Sequence, residues 1–129
     1  MRLLLDTHAL IWALSDTRRL PGSIQRLIGS ARNQVFVSAI SFLEVAVKRT
    51  DIRRGMPKIP ADKMLELSQS AGYVMLDVKA EHCAAVESIP SIHGDPFDRL
   101  LVAQALEEGL RLVTHDRALA AYGDTVITF

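Results

Sequence analysis

A single cysteine, Cys83, is all the thiol this 129-residue chain carries. No internal disulfide can staple it, and a reducing compartment suits it. Net charge is just as scarce, because fifteen Lys and Arg are matched by fifteen Asp and Glu. No global field then drives the molecule onto nucleic acid or a membrane, and any such contact has to come from a local patch. Long apolar runs are missing as well. Met1-Arg2-Leu3-Leu4-Leu5 is too short for a signal peptide and meets Asp6 at once, and no segment approaches membrane-spanning length. Repeats, linkers and low-complexity tracts are absent. What is present is 49% hydrophobic and long enough for one sizeable core, so residues 1–129 read as a single cytoplasmic globular domain.

Apolar patterning then sets the order of elements. Leu3-Leu4-Leu5 is a short run with no polar alternation, the mark of a strand buried on both faces. Val35-Phe36-Val37, Tyr73 to Leu76, Arg111 to Thr114 and Thr125 to Phe129 read as further strands. Helices are expected over Ala9–Leu14, Ser23–Ala31, Ala39 to about Arg49, Pro60–Ser70, Lys79–Ser88, Pro96 up to Gly109, and Arg117–Tyr122. Strands alternating with helices predict an α/β domain of three layers, α/β/α, around a mostly parallel sheet of four or five strands.

Five acids occupy chemically loaded places in that pattern. Asp6 and Asp116 leave the carboxyl ends of strands, where open α/β sheets place their ligands. Asp95 reads as the N-cap of a helix with Pro96 at its first position, and Asp98 falls on the same face one turn on. Glu44 stands among Phe42, Leu43, Val45, Ala46 and Val47, a setting in which a charge must be exposed, paired or functional. Each has a plainer explanation. Asp6 and Asp95 can simply cap helices, and Glu44 and Lys48 form an i,i+4 pair that solvent would tolerate. Lys48 to Lys58 carries five basic residues against one acid and suits either a solvated loop or a phosphate backbone. Trp12 and Phe42 fit a core or a dimer face better than a base-stacking platform, and His8 earns no assignment.

Convergence of the acids would settle their meaning. Two carboxylates about 4 Å apart repel by roughly 4 kcal/mol at an effective dielectric near 20. Four together must take up protons or bind a cation, and oxygen-only ligands favour Mg²⁺ or Mn²⁺ over zinc. Such an ion activates water and stabilises charge on a phosphoryl oxygen, so phosphodiester hydrolysis fits best. No side chain stands out as a covalent nucleophile.

The segments Leu4-Leu5-Asp6-Thr7-His8, Val37 to Glu44, Gly94-Asp95-Pro96-Phe97-Asp98-Arg99 and Val113-Thr114-His115-Asp116 resemble, in order, the motifs of the PIN-domain nucleases. They resemble in particular the VapC-type toxins of toxin–antitoxin modules. The resemblance spans essentially the whole chain. It implies a PIN-like fold and a Mg²⁺- or Mn²⁺-dependent endoribonuclease that acts on RNA, forms a homodimer and is silenced by a cognate antitoxin. By position, Asp6, Glu44, Asp95 and Asp98 match the family's acidic quartet, and Asp116 matches a further acid that only some members keep. It also implies that Asp6 and Asp95 ligate directly, while Glu44 and Asp98 act through water or orient the nucleophile. His115 falls where the family varies, and Arg53, Arg54 and Lys58 would meet RNA, an antitoxin or neither. Three rivals stand beside this reading. A receiver domain would share the alternating topology but would carry an adjacent acid pair near its start, which this chain lacks. An aspartyl phosphatase would want a second acid at position 8, where His8 stands; a non-catalytic PIN-like binding module would not need the quartet.

Overall fold

The structure is a computed structural model that describes residues 1–51 and 59–129. Five strands form one parallel sheet: β1 (Arg2–Leu5), β2 (Gln34–Ser38), β3 (Val74–Leu76), β4 (Arg111–Thr114) and β5 (Val126–Thr128), in the spatial order β3-β2-β1-β4-β5. The helices are α1 (Thr7–Ser15), α2 (Gly22–Gly29), α3 (Ala39–Thr50), α4 (Ala61–Ser70), α5 (Ala80–Ala85) and α6 (Pro96–Glu108).

β1 lies at the centre, and its three leucines explain why. Period-two alternation sends Leu3 and Leu5 to one face, where they meet Val35, Val37 and Val113, Ala9 and Leu10 of α1, Ile24 of α2 and Met64 of α4. Leu4 points the other way, into Phe36, Leu112 and the Leu101, Val102 and Ala105 face of α6. All three leucines are fully buried, which only a strand covered on both faces permits. The result is the three-layer architecture expected.

Local chemistry places the ends of α6. The Asp95 side chain accepts the Phe97 N–H at 2.8 Å, Pro96 opens the first turn, and Gly109 closes the helix at φ +65°. Two helical expectations differ in detail. The segment after Lys79 is α-helical only to Ala85 and tightens into a 3₁₀ turn over Val86–Ser88, because Ile89 turns extended ahead of Pro90. Arg117–Tyr122 is likewise a 3₁₀ helix, capped by Asp116. Among the described residues Arg99 Nε is the one buried side-chain polar atom without a hydrogen-bond partner, and Ser38 donates to Gln104 Oε1 at 2.6 Å, tying the end of β2 to α6. Among the described residues no helix is long and apolar enough to cross a membrane.

Candidate active site

The chain builds β1, β2 and β3 outward in one direction, then returns to place β4 and β5 on the other side of β1. The crevice beyond the carboxyl ends of β1 and β4 is therefore the switch point of the sheet, where α/β folds hold ligands. Asp6 follows β1 directly and Asp116 lies just past β4.

Asp6 is only 4% exposed. Its main-chain N–H extends the β ladder to the Val113 carbonyl at 3.0 Å, which fixes the position of its side chain. Oδ1 accepts the Ala9 N–H at 2.7 Å, so Asp6 does cap α1, and Oδ2 accepts from the Thr114 hydroxyl. Burial pushes this carboxyl above its ordinary value. The Thr114 and Ala9 bonds and the neighbouring His8 oppose that rise, while Glu44 adds to it.

Glu44 is equally buried at 4% and is held on both oxygens. Thr7 Oγ1 donates to Oε1 at 2.7 Å and Lys48 Nζ lies 2.5 Å from Oε2. Thr7 Oγ1 also lies 3.0 Å from Ser41 Oγ. The i,i+4 pair is thus real, but it is not the solvated surface pair that composition allowed. It points inward because Val45 on the neighbouring position of α3 packs into the core, carrying Glu44 to the same side.

Asp95 and Asp98 open α6 above the same crevice. Asp98 is pushed up to about 7, first by burial, then by the charges of Asp95, Glu44 and Asp6, with His93 opposing. Acids separated by up to ninety-two positions are therefore close enough to alter one another's ionisation. Asp116 joins through His93, whose Nε2 lies 2.7 Å from Asp116 Oδ2 and 3.7 Å from Asp98 Oδ2. Among the described residues, His93, Asp98 and Asp116 form the one group of three whose ligand atoms all lie within 4.8 Å of one another.

No local pattern in the sequence marks His93, although it stands two residues before Asp95. Its Nδ1 accepts the Asp95 N–H at 3.0 Å. A neutral imidazole used that way carries its proton on Nε2 and donates toward Asp116. The donor set facing the crevice thus stays one of carboxylate oxygens, with His93 tying the Asp95 loop to Asp116. Thr7 and Thr114 support the site as well. Their hydroxyls are short-range orienters whose partners lie 37 and 108 positions away, and no local pattern marks them.

Of the basic run, Arg53, Arg54 and Lys58 lie outside the described residues, and Lys48 is engaged with Glu44. Trp12 is buried in the core, while Phe42 is half-buried.

Comparison with known proteins bears on this arrangement. A family model described as the PIN domain matches residues 3–124. Ribonuclease VapC22 of Mycobacterium tuberculosis (strain ATCC 25618 / H37Rv) is 34% identical over 122 residues, covering 92% of this chain and 90% of that protein. Among solved structures, VapBC2 from Rickettsia felis, bound to a DNA fragment from their promoter, is similar at a TM-score of 0.67 and 16% identity. The match covers 100% of this chain and 98% of that one. A toxin–antitoxin complex from Klebsiella pneumoniae is similar at a TM-score of 0.66 and 20% identity, covering 98% of this chain and 96% of that one. At such identities the structural likeness speaks to the fold alone.

Proposed function

Because the chain belongs to the PIN-domain family, we propose that it is a divalent-metal-dependent endoribonuclease and the toxin of a toxin–antitoxin pair. The observation that carries this reading is the gathering of Asp6, Glu44, Asp95 and Asp98 at the switch point, where burial first and the charges of its neighbours second raise the Asp98 carboxyl to about 7. A buried carboxylate among like charges is relieved by a proton or by a hard cation. Oxygen donors from the ends of β1 and α6 and from α3 suit Mg²⁺ or Mn²⁺. The 34% identical relative is by name a ribonuclease, which supports RNA as the substrate.

Asp6 and Asp95 would hold the ion directly, Glu44 and Asp98 would act through water or orient the nucleophile, and Asp116 would complete the far side. Such an ion supplies activated water and stabilises charge developing on a phosphoryl oxygen. The chain's own groups are already oriented for that task. Asp6 is aimed by Ala9 N–H and the Thr114 hydroxyl, and Glu44 by Thr7 and Lys48. Asp98, in the first turn of α6 beside Asp95, would be placed to receive a proton from the attacking water.

The structural neighbour from Klebsiella pneumoniae is by title a toxin–antitoxin complex, and the same class of partner is proposed here. A groove of about 500 Å³ between α3 and α4, lined by Phe42, Leu43, Ala46, Leu65 and Met75, offers that partner an apolar surface. Leu43 is 52% exposed there, which an isolated monomer gains nothing from. Homodimer formation belongs to the same reading and is checked by light scattering of the purified chain.

The decisive experiment is cleavage of RNA by the purified chain. Activity is expected to vanish with EDTA, return with Mg²⁺ or Mn²⁺, and be lost in Asp6→Asn and Asp95→Asn proteins that retain the wild-type circular dichroism. Cleavage that survives either EDTA or Asp6→Asn overturns the proposal.

A further inference from the structure

Trp12 belongs to the core, but it is ringed by groups that reach the surface. Its ring centroid lies 5.8 Å from that of His8, 5.1 Å from that of His115 and 6.1 Å from that of Phe129, and the Arg19 guanidinium carbon sits 4.6 Å from its centre. His8, Arg19 and His115 are exposed. His115 and Phe129 rings are 5.2 Å apart, and His115 Nδ1 is hydrogen-bonded at 3.0 Å to the Phe129 main-chain oxygen, which sets the plane of the imidazole.

This shelf borders the acidic crevice on two sides. His8 follows Asp6 and Thr7, close enough that its positive form favours the Asp6 carboxylate. His115 stands between Thr114, which donates to Asp6, and Asp116. In contrast to His93, neither ring is hydrogen-bonded to an acid of the site, so the chemistry proposed above leaves both unused. His115 stands edge-on to the indole at 74° and His8 is tilted at 43°, so each exposed ring is steadied by Trp12 without being covered by it. Exposed rings steadied in that way, beside a place where a phosphodiester is bound, are how proteins hold the unstacked bases of single-stranded RNA. Arg19, fixed over the indole, brings the positive charge that an adjoining phosphate requires, and Arg18 beside it has a side chain 92% exposed.

We propose that His8 and His115, seated on Trp12 with Phe129 and Arg19 beside them, form a subsite that stacks the nucleobase flanking the cleaved phosphate of single-stranded RNA. This deepens the nuclease reading and rests on it.

The test uses the full chain and a fluorescently labelled single-stranded RNA of random sequence. Binding is measured by anisotropy in the Asp95→Asn background, and KM and kcat for cleavage are measured in the otherwise wild-type protein. His115→Ala and His8→Ala should each weaken binding by about fivefold or more, the lower end of what one base–aromatic stack contributes. KM should rise with kcat held within about twofold, and melting temperature should be unchanged because both side chains are exposed. His115→Phe should restore binding, since it keeps a ring and loses only the hydrogen bond. Unchanged affinity in both alanine variants, or failure of His115→Phe to restore it while wild-type protein still cleaves RNA, overturns the subsite and leaves the nuclease reading standing. RNA binding unaffected alongside lost binding of an antitoxin protein also overturns it, and gives the shelf to that partner. RNA neither bound nor cleaved by wild type overturns both.

Discussion

Replacing Asp98 by Asn should stabilise the metal-free protein, contrary to the usual cost of altering a helix's first turn. The Asp98 carboxyl is held at about 7 against an ordinary 3.8, by burial and by three neighbouring acids. Fully expressed, that difference amounts to about 4 kcal/mol at a pH where the group is ionised. The side chain is 21% exposed, however, and water and salt screen part of the repulsion, so about 1–2 kcal/mol is the expected gain at pH 8. For a chain of this length that raises the melting temperature by about 3–8 °C. The pH dependence has a definite sign. Folded Asp98 keeps its proton up to about 7, whereas unfolded Asp98 releases it near 3.8, so between those values the folded state binds more protons and wild-type stability falls as pH rises. Asp6, raised by burial, acts in the same direction. Thermal melts in EDTA from pH 5 to 8 should show wild type declining and Asp98→Asn declining less. Saturating Mg²⁺ should then favour wild type, because a ligand that binds only the folded state adds stability according to its affinity. Two results refute the reasoning: a wild type that grows more stable from pH 5 to 7.5 in EDTA, or an Asp98→Asn protein that melts below it at pH 8.

Other perturbations separate structural from functional roles. Lys48→Met strips Glu44 of its partner at 2.5 Å and should cost about 1–2 kcal/mol in chemical denaturation. That is less than the 3–5 kcal/mol for a fully buried pair, because Lys48 is 31% exposed. His93→Ala should lower cleavage by about 10–100-fold with little change in melting temperature, as losing a support for metal-ligating groups does. His93→Asn, whose Oδ1 can accept the Asp95 N–H, should recover part of that loss, and wild-type cleavage by His93→Ala would remove His93 from the site. Leu4→Ala should destabilise by about 2–5 kcal/mol in urea titrations, since Leu4 is fully buried between the sheet and α6.

Short-range features of this protein are written plainly in the chain. Leu3-Leu4-Leu5 could only be a strand covered on both sides, and Asp95-Pro96 with Gly109 bounded α6. The Glu44–Lys48 pairing also followed from spacing alone. Each depends on forces between residues a few positions apart, or on the burial of one face, and the order of residue types encodes those directly. The acids at strand ends and at a helix mouth were visible for the same reason, as were the ordered segments that resemble PIN-domain nucleases.

Strand order was another matter. Five short apolar strands are nearly interchangeable by composition, so nothing local says that β4 pairs with β1 instead of extending the sheet beyond β3. That reversal alone creates the crevice where Asp6 and Asp116 approach one another, and it alone makes Thr114 a donor to Asp6. The use of His93 as a tie to Asp116 follows from it, while burial of Glu44 and the elevated Asp98 carboxyl need α3 and α6 to pack over the same end of the sheet. Their energies depend on distances across the crevice and on water excluded from it, and neither exists until the chain has folded back.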